Sequence, residues 1–211
     1  MSKIYVLGMG PGHRDYILPI TLRIIDESDV LIGGKRILKD FEDENKELIY
    51  IDSKLKKIIQ YIKENKDEKK ISLLLSGDTG FYSMLDYLKK YFKTKEMEVI
   101  PGISSYQYLM GKLKKTWQKA FVGSVHGREL DIINLVKKYN SVILLTDNKN
   151  SPSKIADILI TSGIKNKVMI VGENLSYDNE RIIIDSPENI VKMKGFSMCV
   201  VVIENHENME L

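Results

Sequence analysis

The sequence predicts an α/β fold: two α/β domains, residues 1–111 and 112–211, with a ligand cleft between them. Three observations lead there. Short apolar runs at Lys3–Leu7, Asp29–Ile32 and Ile71–Leu75 end in glycine-containing loops, as buried parallel strands do. Helical spacing of apolar residues fills the stretches between them, giving the alternation of a mostly parallel sheet covered on both faces. After residue 120 strands follow one another with only short helical segments between, which predicts a mixed sheet. At 211 residues the chain suffices for one large or two small domains.

Taken in order, Lys3–Leu7 is the first strand and Gly8-Met9-Gly10-Pro11-Gly12 the loop leaving it. Pro19 opens a helix reaching Glu27. Asp29–Ile32 is a strand broken by Gly33-Gly34. Asp52 or Ser53 caps a helix whose Leu55, Ile58, Ile59 and Ile62 share one face. The charge run from Lys63 to Lys70 is a solvated face and loop. The strand Ile71–Leu75 ends at Ser76-Gly77-Asp78-Thr79-Gly80. A helix with Phe81, Met84, Leu85, Leu88 and Phe92 on one face is expected next. Val99-Ile100 closes a strand at Pro101-Gly102, before a short helix from Ser104 or Ser105.

The basic stretch Gly111–Lys119 reads as a domain junction. Beyond it, strands are expected at Phe121-Val122, Ser141–Thr146, Val168–Val171, Arg181–Ile184 and Met198–Ile203. Ile132, Leu135, Val136 and Tyr139 mark one helix face, and Ile155, Ile158 and Leu159 another.

Composition narrows the function. A hydrophobic fraction of 43% with 29% charged residues excludes a disordered chain. The net charge of +3 is too mild for a nucleic-acid partner but leaves room for an acidic small ligand. A single cysteine, Cys199, excludes an internal disulfide and a cysteine-based zinc site. It fits a reducing, cytoplasmic setting, and within an apolar strand it reads as a small buried hydrophobe. The apolar runs are too short for a signal peptide or a membrane span. His13, His126 and His206 are scattered, so no metal site is expected.

Each glycine loop has a structural and a functional reading. Glycines at 8, 10 and 12 let backbone approach a ligand or take positive φ. They do not make a dinucleotide fingerprint, because His13 stands where glycine is required and Pro11 lacks a donor. Asp78 suits ribose hydroxyls or an ammonium, or a helix cap. Ser104 and Ser105 suit a ligand or a cap. His126 and Arg128, flanking Gly127, suit a carboxylate-rich ligand or a plain surface loop. Gly172-Glu173-Asn174-Leu175 offers backbone groups at another sheet edge, and Trp117 reads as packing.

The order of these pieces over the whole chain resembles the tetrapyrrole (corrin and porphyrin) methylase family. The Gly33-Gly34 pair, Ser124-Val125-His126-Gly127-Arg128 and the 172–175 segment are similar to its cobalt-precorrin-7 branch. That branch methylates ring carbon 5 in anaerobic cobalamin synthesis. The resemblance implies S-adenosylmethionine bound between two α/β domains, a tetrapyrrole substrate and a homodimer. It also implies a separate decarboxylating methyltransferase as pathway neighbour, because no second domain of that kind is present. Carried over by motif, Pro11, Ser76, Gly77, Asp78, Phe81, Ser104 and Ser105 would contact the cofactor. Thr146 and Leu175 would line its adenine side. The substrate's carboxylates would meet His126 and Arg128, with His13 and Arg14 as further candidates. Two positions depart from the family. Thr79 stands where many members have proline. Gly34 stands where uroporphyrinogen-type members place an aspartate proposed as proton acceptor, so no base carries over, and His126 or water is left for that role. Two alternatives stay open: the same fold acting at another corrin position or on another substrate, and a non-catalytic S-adenosylmethionine sensor.

Overall fold

The computed structural model describes residues 3–43, 45–52 and 54–206. The chain folds as two compact units, one ending at Ser104 and one beginning at Ser105. The division precedes the expected 111/112 boundary because residues 105–112 form a helix whose Leu109 packs on Gly172 of the second unit's sheet.

The first unit runs β1 (Ile4–Gly8), α1 (Pro19–Asp26), β2 (Val30–Gly33), α2 (Lys35–Leu38), β3 (Glu47–Tyr50), α3 (Leu55–Asn65), β4 (Ile71–Leu75), α4 (Leu85–Leu88) and β5 (Met97–Ile100). Its sheet has the order β3-β2-β4-β1-β5, and every pair is parallel. Alternate residues feed two cores. Val6, Ile32 and Leu73 pack with Ile58, Ile59 and Ile62 of α3, while Leu7, Leu31 and Leu74 pack with Ile24 and Ile25 of α1 and Leu38 of α2. Burying both faces explains why β1, β2 and β4 are near-continuous apolar runs. Each such side chain contributes about 2 kcal/mol by leaving water.

Three differences from expectation have local causes. β3 is an edge strand with Glu47 and Tyr50 exposed, so it carries no apolar run to announce it. The helix expected from Phe81 contracts to α4, because Tyr82 takes φ 51° and the Ser83 hydroxyl donates to Thr79 O and accepts from Leu85 N. Phe81 therefore stands outside the helix, edge-on to Tyr82 at 4.7 Å. Ahead of α3, Lys54 holds the cap position with no side-chain cap bond; Asp52, expected as the cap, accepts from Lys54 N at 2.6 Å in the turn before it, and Ser53, the other expected cap, lies outside the described residues.

The second unit runs α5 (Ser105–Lys112), β6 (Phe121–Ser124), α6 (Ile132–Lys138), β7 (Ser141–Leu145), α7 (Pro152–Thr161), β8 (Lys167–Glu173), β9 (Arg181–Asp185), α8 (Pro187–Ile190) and β10 (Cys199–Asn205). The sheet order is β6-β7-β10-β8-β9. Only β6–β7 is parallel; the other pairs are antiparallel, the mixed sheet the sequence predicts. Asp131 caps α6 through Asn134 N, and Ser151 caps α7 through Lys154 N, with Pro152 at its first turn. Among the described residues no helix is long and apolar enough to cross a membrane.

Candidate functional site

In a parallel sheet all strands deliver their carboxyl ends to one edge. Gly8 of β1 is in register with Leu75 of β4, Leu7 with Ile100 of β5, and Gly33 of β2 with Leu74. The loops at 8–12, 33–36, 76–80 and 101–104 therefore share that edge. Three of them touch backbone to backbone. Gly10 and Gly77 exchange N–H···O bonds of 3.2 and 2.9 Å, and Met9 N donates to Leu75 O at 2.8 Å. A Cβ on Gly8 would lie 2.4 Å from Gly102 N, and one on Gly102 would lie 2.2 Å from Gly77 O. Gly77 sits at φ 70°, which a side chain would strain.

Asp78 ties this edge together. Its Oδ1 accepts from Gly80 N at 2.8 Å and its Oδ2 from Gly102 N at 3.1 Å. It bridges the 76–80 and 101–104 loops rather than capping a helix at Phe81. Each carboxylate oxygen keeps a second acceptor direction. Ser76 is exposed and accepts a 3.0 Å bond from Nη2 of Arg36. Ser104 is buried at the end of its loop and Pro11 is buried in the first loop, whereas Ser105 opens α5 half-buried. His13 and Arg14 are exposed; His13 Nδ1 accepts from Asp15 N at 3.2 Å, capping a single 3₁₀ turn, and lies 3.5 Å from that residue's carboxylate. Arg36 was not read as functional from sequence, because its partner is 40 residues away.

In the second unit, β6 and β7 end side by side, Ser124 opposite Leu145. The 124–128 loop leaves β6 and the 146–150 loop leaves β7. His126 N donates to Ser124 Oγ at 3.2 Å, and His126 Nδ1 lies 3.3 Å from the Thr146 carbonyl. Asp147 joins the two loops. Its Oδ2 accepts from Gly127 N at 2.7 Å, and its Oδ1 from Lys149 N at 2.9 Å and Asn150 N at 2.7 Å. The N–H groups of Asn150 and Gly127, then Lys149, hold its carboxyl below the usual range, with a smaller contribution from His126. Asn150 Nδ2 donates to Val125 O at 2.8 Å. Arg128 is exposed at the far side of Gly127.

A second carboxylate, Glu173, is 4% exposed at the end of β8. Its Oε1 accepts from Ser197 N at 2.6 Å, and its Oε2 pairs with Arg181 through Nε at 2.7 Å and Nη2 at 2.6 Å. Beyond it, Asn174 and Ser176 hold positive φ, Ser176 N donates to Glu180 at 2.7 Å, and Leu175 turns inward against Gly172. Thr146 donates its hydroxyl to Cys199 O at 2.8 Å. Burial, and secondarily the charge of Glu173, push the Cys199 thiol up to about 12, so it is inert as a nucleophile. Asp147 and the Glu173–Arg181 pair were missed from sequence. An aspartate right after a strand end, three residues before an asparagine, is the one local signal that Asp147 offered.

Residues 3–190 match the family pattern described as Tetrapyrrole (Corrin/Porphyrin) Methylases. The chain is 35% identical over 213 residues to a probable cobalt-precorrin-7 C(5)-methyltransferase of Methanocaldococcus jannaschii, covering 98% of this chain and 100% of the relative. It is 34% identical over 177 residues to the cobalt-precorrin-7 C(5)-methyltransferase of Salmonella typhimurium, covering 84% and 87%. In structure it is similar to uroporphyrin-III C-methyl transferase from Thermus thermophilus complexed with S-adenosyl homocysteine. The TM-score is 0.76 at 16% identity, over 98% and 93% of the two chains. With motifs, fold and a nearly full-length match in agreement, this chain belongs to the tetrapyrrole (corrin/porphyrin) methylase family.

Proposed function

We propose that the chain transfers a methyl group from S-adenosylmethionine to ring carbon 5 of cobalt-precorrin-7 in anaerobic cobalamin synthesis. The observation that carries this reading is the triple glycine contact at one edge of the parallel sheet, flanked by Ser76, Asp78 and Ser104. Backbone packed without Cβ atoms offers N–H and C=O groups at close range, and the flanking carboxylate and hydroxyls suit an ammonium, a carboxylate and ribose. That donor set fits S-adenosylmethionine. The likeness to cobalt-precorrin-7 enzymes over nearly the whole chain supports the substrate.

Ser76, Gly77, Asp78, Ser104 and Ser105 would hold the cofactor, with Pro11 and Phe81 bordering it. Thr146 would contribute its carbonyl and Leu175 its backbone groups, because the Thr146 hydroxyl and N–H are both committed to Cys199 O and Leu175 is buried. When bound, S-adenosylmethionine would supply an activated methyl group carried on a sulfonium. The protein aligns the partners and excludes water. Arg128, His126, His13 and Arg14 would meet the macrocycle's carboxylates by charge-assisted hydrogen bonds, and Arg36 joins them as a cation beside Ser76.

Calorimetric titration with S-adenosylhomocysteine, with NAD as control, tests the cofactor. One-to-one micromolar binding of the first and none of the second is expected; the reverse would restore a dinucleotide role. Incubation with cobalt-precorrin-7 and methyl-labelled cofactor then tests the substrate. Label at carbon 5 is expected. Label at another carbon would assign another corrin step, and binding without turnover would make the protein a sensor.

A further inference from the structure

Among the described residues, five other than glycine hold a left-handed backbone: Tyr82, Lys114, Asn166, Asn174 and Ser176. Four have a local reason. Asparagine adopts this conformation readily. Lys114 closes α5, where its N–H donates to Gly111 O and that of Lys115 to Met110 O. Ser176 is anchored through its N–H by Glu180. Tyr82, at φ 51°, is the one aromatic residue of the five, and it closes no helix. Its Cβ crowds the following carbonyl oxygen, a strain that glycine would not feel.

The turn around Tyr82 is fixed from both sides. The Ser83 hydroxyl donates to Thr79 O and accepts from Leu85 N, and two residues ahead of Tyr82 the N–H of Gly80 is bonded to Asp78. Asp78 is the carboxylate that bridges the 76–80 and 101–104 loops. Between half-buried Phe81 and Ser83, Tyr82 is 44% exposed. Its ring meets that of Phe81 at 4.7 Å and 79° between planes, an edge contact that sets its orientation. A strained turn thus holds an open aromatic ring within three residues of the loop assigned to the cofactor, all inside the first unit.

A tetrapyrrole is a broad conjugated ring with carboxylates at its rim. Arg36, bonded to Ser76 of the same loop, suits the rim but offers little to the ring's face. An aromatic side chain offers a matching apolar surface.

We infer that Tyr82 is a substrate-binding residue, its phenol ring held out by a left-handed backbone to pack against the face of the macrocycle beside the cofactor loop. This rests on the methyl-transfer reading above. Tyr82 makes and breaks no bond; it selects and orients the ring that is to be methylated.

The test sets stability against substrate use in the full-length protein. Tyr82→Gly removes the strain together with the ring, so its Tm should lie within about 2 °C of wild type or above it. Its KM for cobalt-precorrin-7 should nevertheless rise about tenfold, the scale of one lost stacking contact, with S-adenosylhomocysteine affinity within twofold. Tyr82→Phe, which keeps the ring, should bring KM back to within threefold of wild type. A Tyr82→Gly enzyme whose KM stays within twofold of wild type overturns the inference. So does one whose S-adenosylhomocysteine affinity falls as far as its KM rises, which would place the ring against the cofactor. A Tm loss above about 5 °C in Tyr82→Gly would make the ring a packing element, and overturns it too. A wild type that binds S-adenosylhomocysteine yet methylates no cobalt-precorrin strikes the methyl-transfer reading itself, and the role of Tyr82 with it.

Discussion

In the first unit the loops beyond β1, β4 and β5 meet backbone to backbone with Asp78 as a bridge; in the second, those beyond β6, β7 and β8 hang on Asp147 and Glu173. The difference lies in what each arrangement can tolerate. A contact of 2.2 Å to a potential Cβ admits no side chain at all. A carboxylate that gathers several N–H groups admits neighbours of any size but fails when its charge or its acceptors are lost. Flexible geometry is spent in one unit, and buried or loop-held charge in the other.

The largest effect should come from Gly102→Ala. Its new Cβ meets Gly77 O and Gly8 Cα, both backbone, so neither can swing aside. Overpacking of this kind costs about 3 kcal/mol, read by urea unfolding, and S-adenosylhomocysteine binding should disappear. A stable variant with full affinity would show that the first unit's loops are loosely held and would dissolve the contrast.

Glu173→Ala comes next. It strands Ser197 N and deprives Arg181 of its partner. A loss of about 2 kcal/mol is expected, with Glu173→Gln recovering part of it because the amide oxygen still accepts. Asp78→Asn is milder for folding but sharper for ligand. One of its two N–H partners must face an NH₂ group, and about tenfold weaker S-adenosylhomocysteine binding should follow by calorimetry. Unchanged affinity would remove Asp78 from the cofactor's surroundings.

The smallest effect is a pH dependence confined to the second unit. Asp147 is held below the usual carboxylate range, so its contribution is present above the unfolded value of about 3.9 and fades as pH falls through the lower folded value. The Tm difference between wild type and Asp147→Asn should therefore be constant near neutrality and shrink below about pH 4. A difference that persists at pH 2 would mean that Asp147 acts by shape and not by charge.

Much of this was legible in sequence where a single local pattern carried it. The runs at Ile4–Leu7, Val30–Ile32 and Ile71–Leu75 are strands because both faces are buried, and Pro19 opens a helix because proline needs no N–H partner there. The elements that escaped were those without such a pattern. β3 is an edge strand, while α2 and α8 are single turns. At Tyr82 one left-handed residue overrode five well-spaced apolar positions.

The site divides in the same way. Glycines after strands announce close backbone approach, so Gly8, Gly77 and Gly102 could be marked before any coordinates. Their order along the chain sufficed to indicate the family, because backbone conformation depends on local residue type. What holds His126, and what Thr146 does with its hydroxyl, depends on partners 20 and 53 residues away. Hydrogen bonds between distant residues are set by sheet order and register. Only the folded chain brings Asp147 to Gly127 and Glu173 to Ser197, and so only it decides which polar side chains are spent on the scaffold and which remain for chemistry.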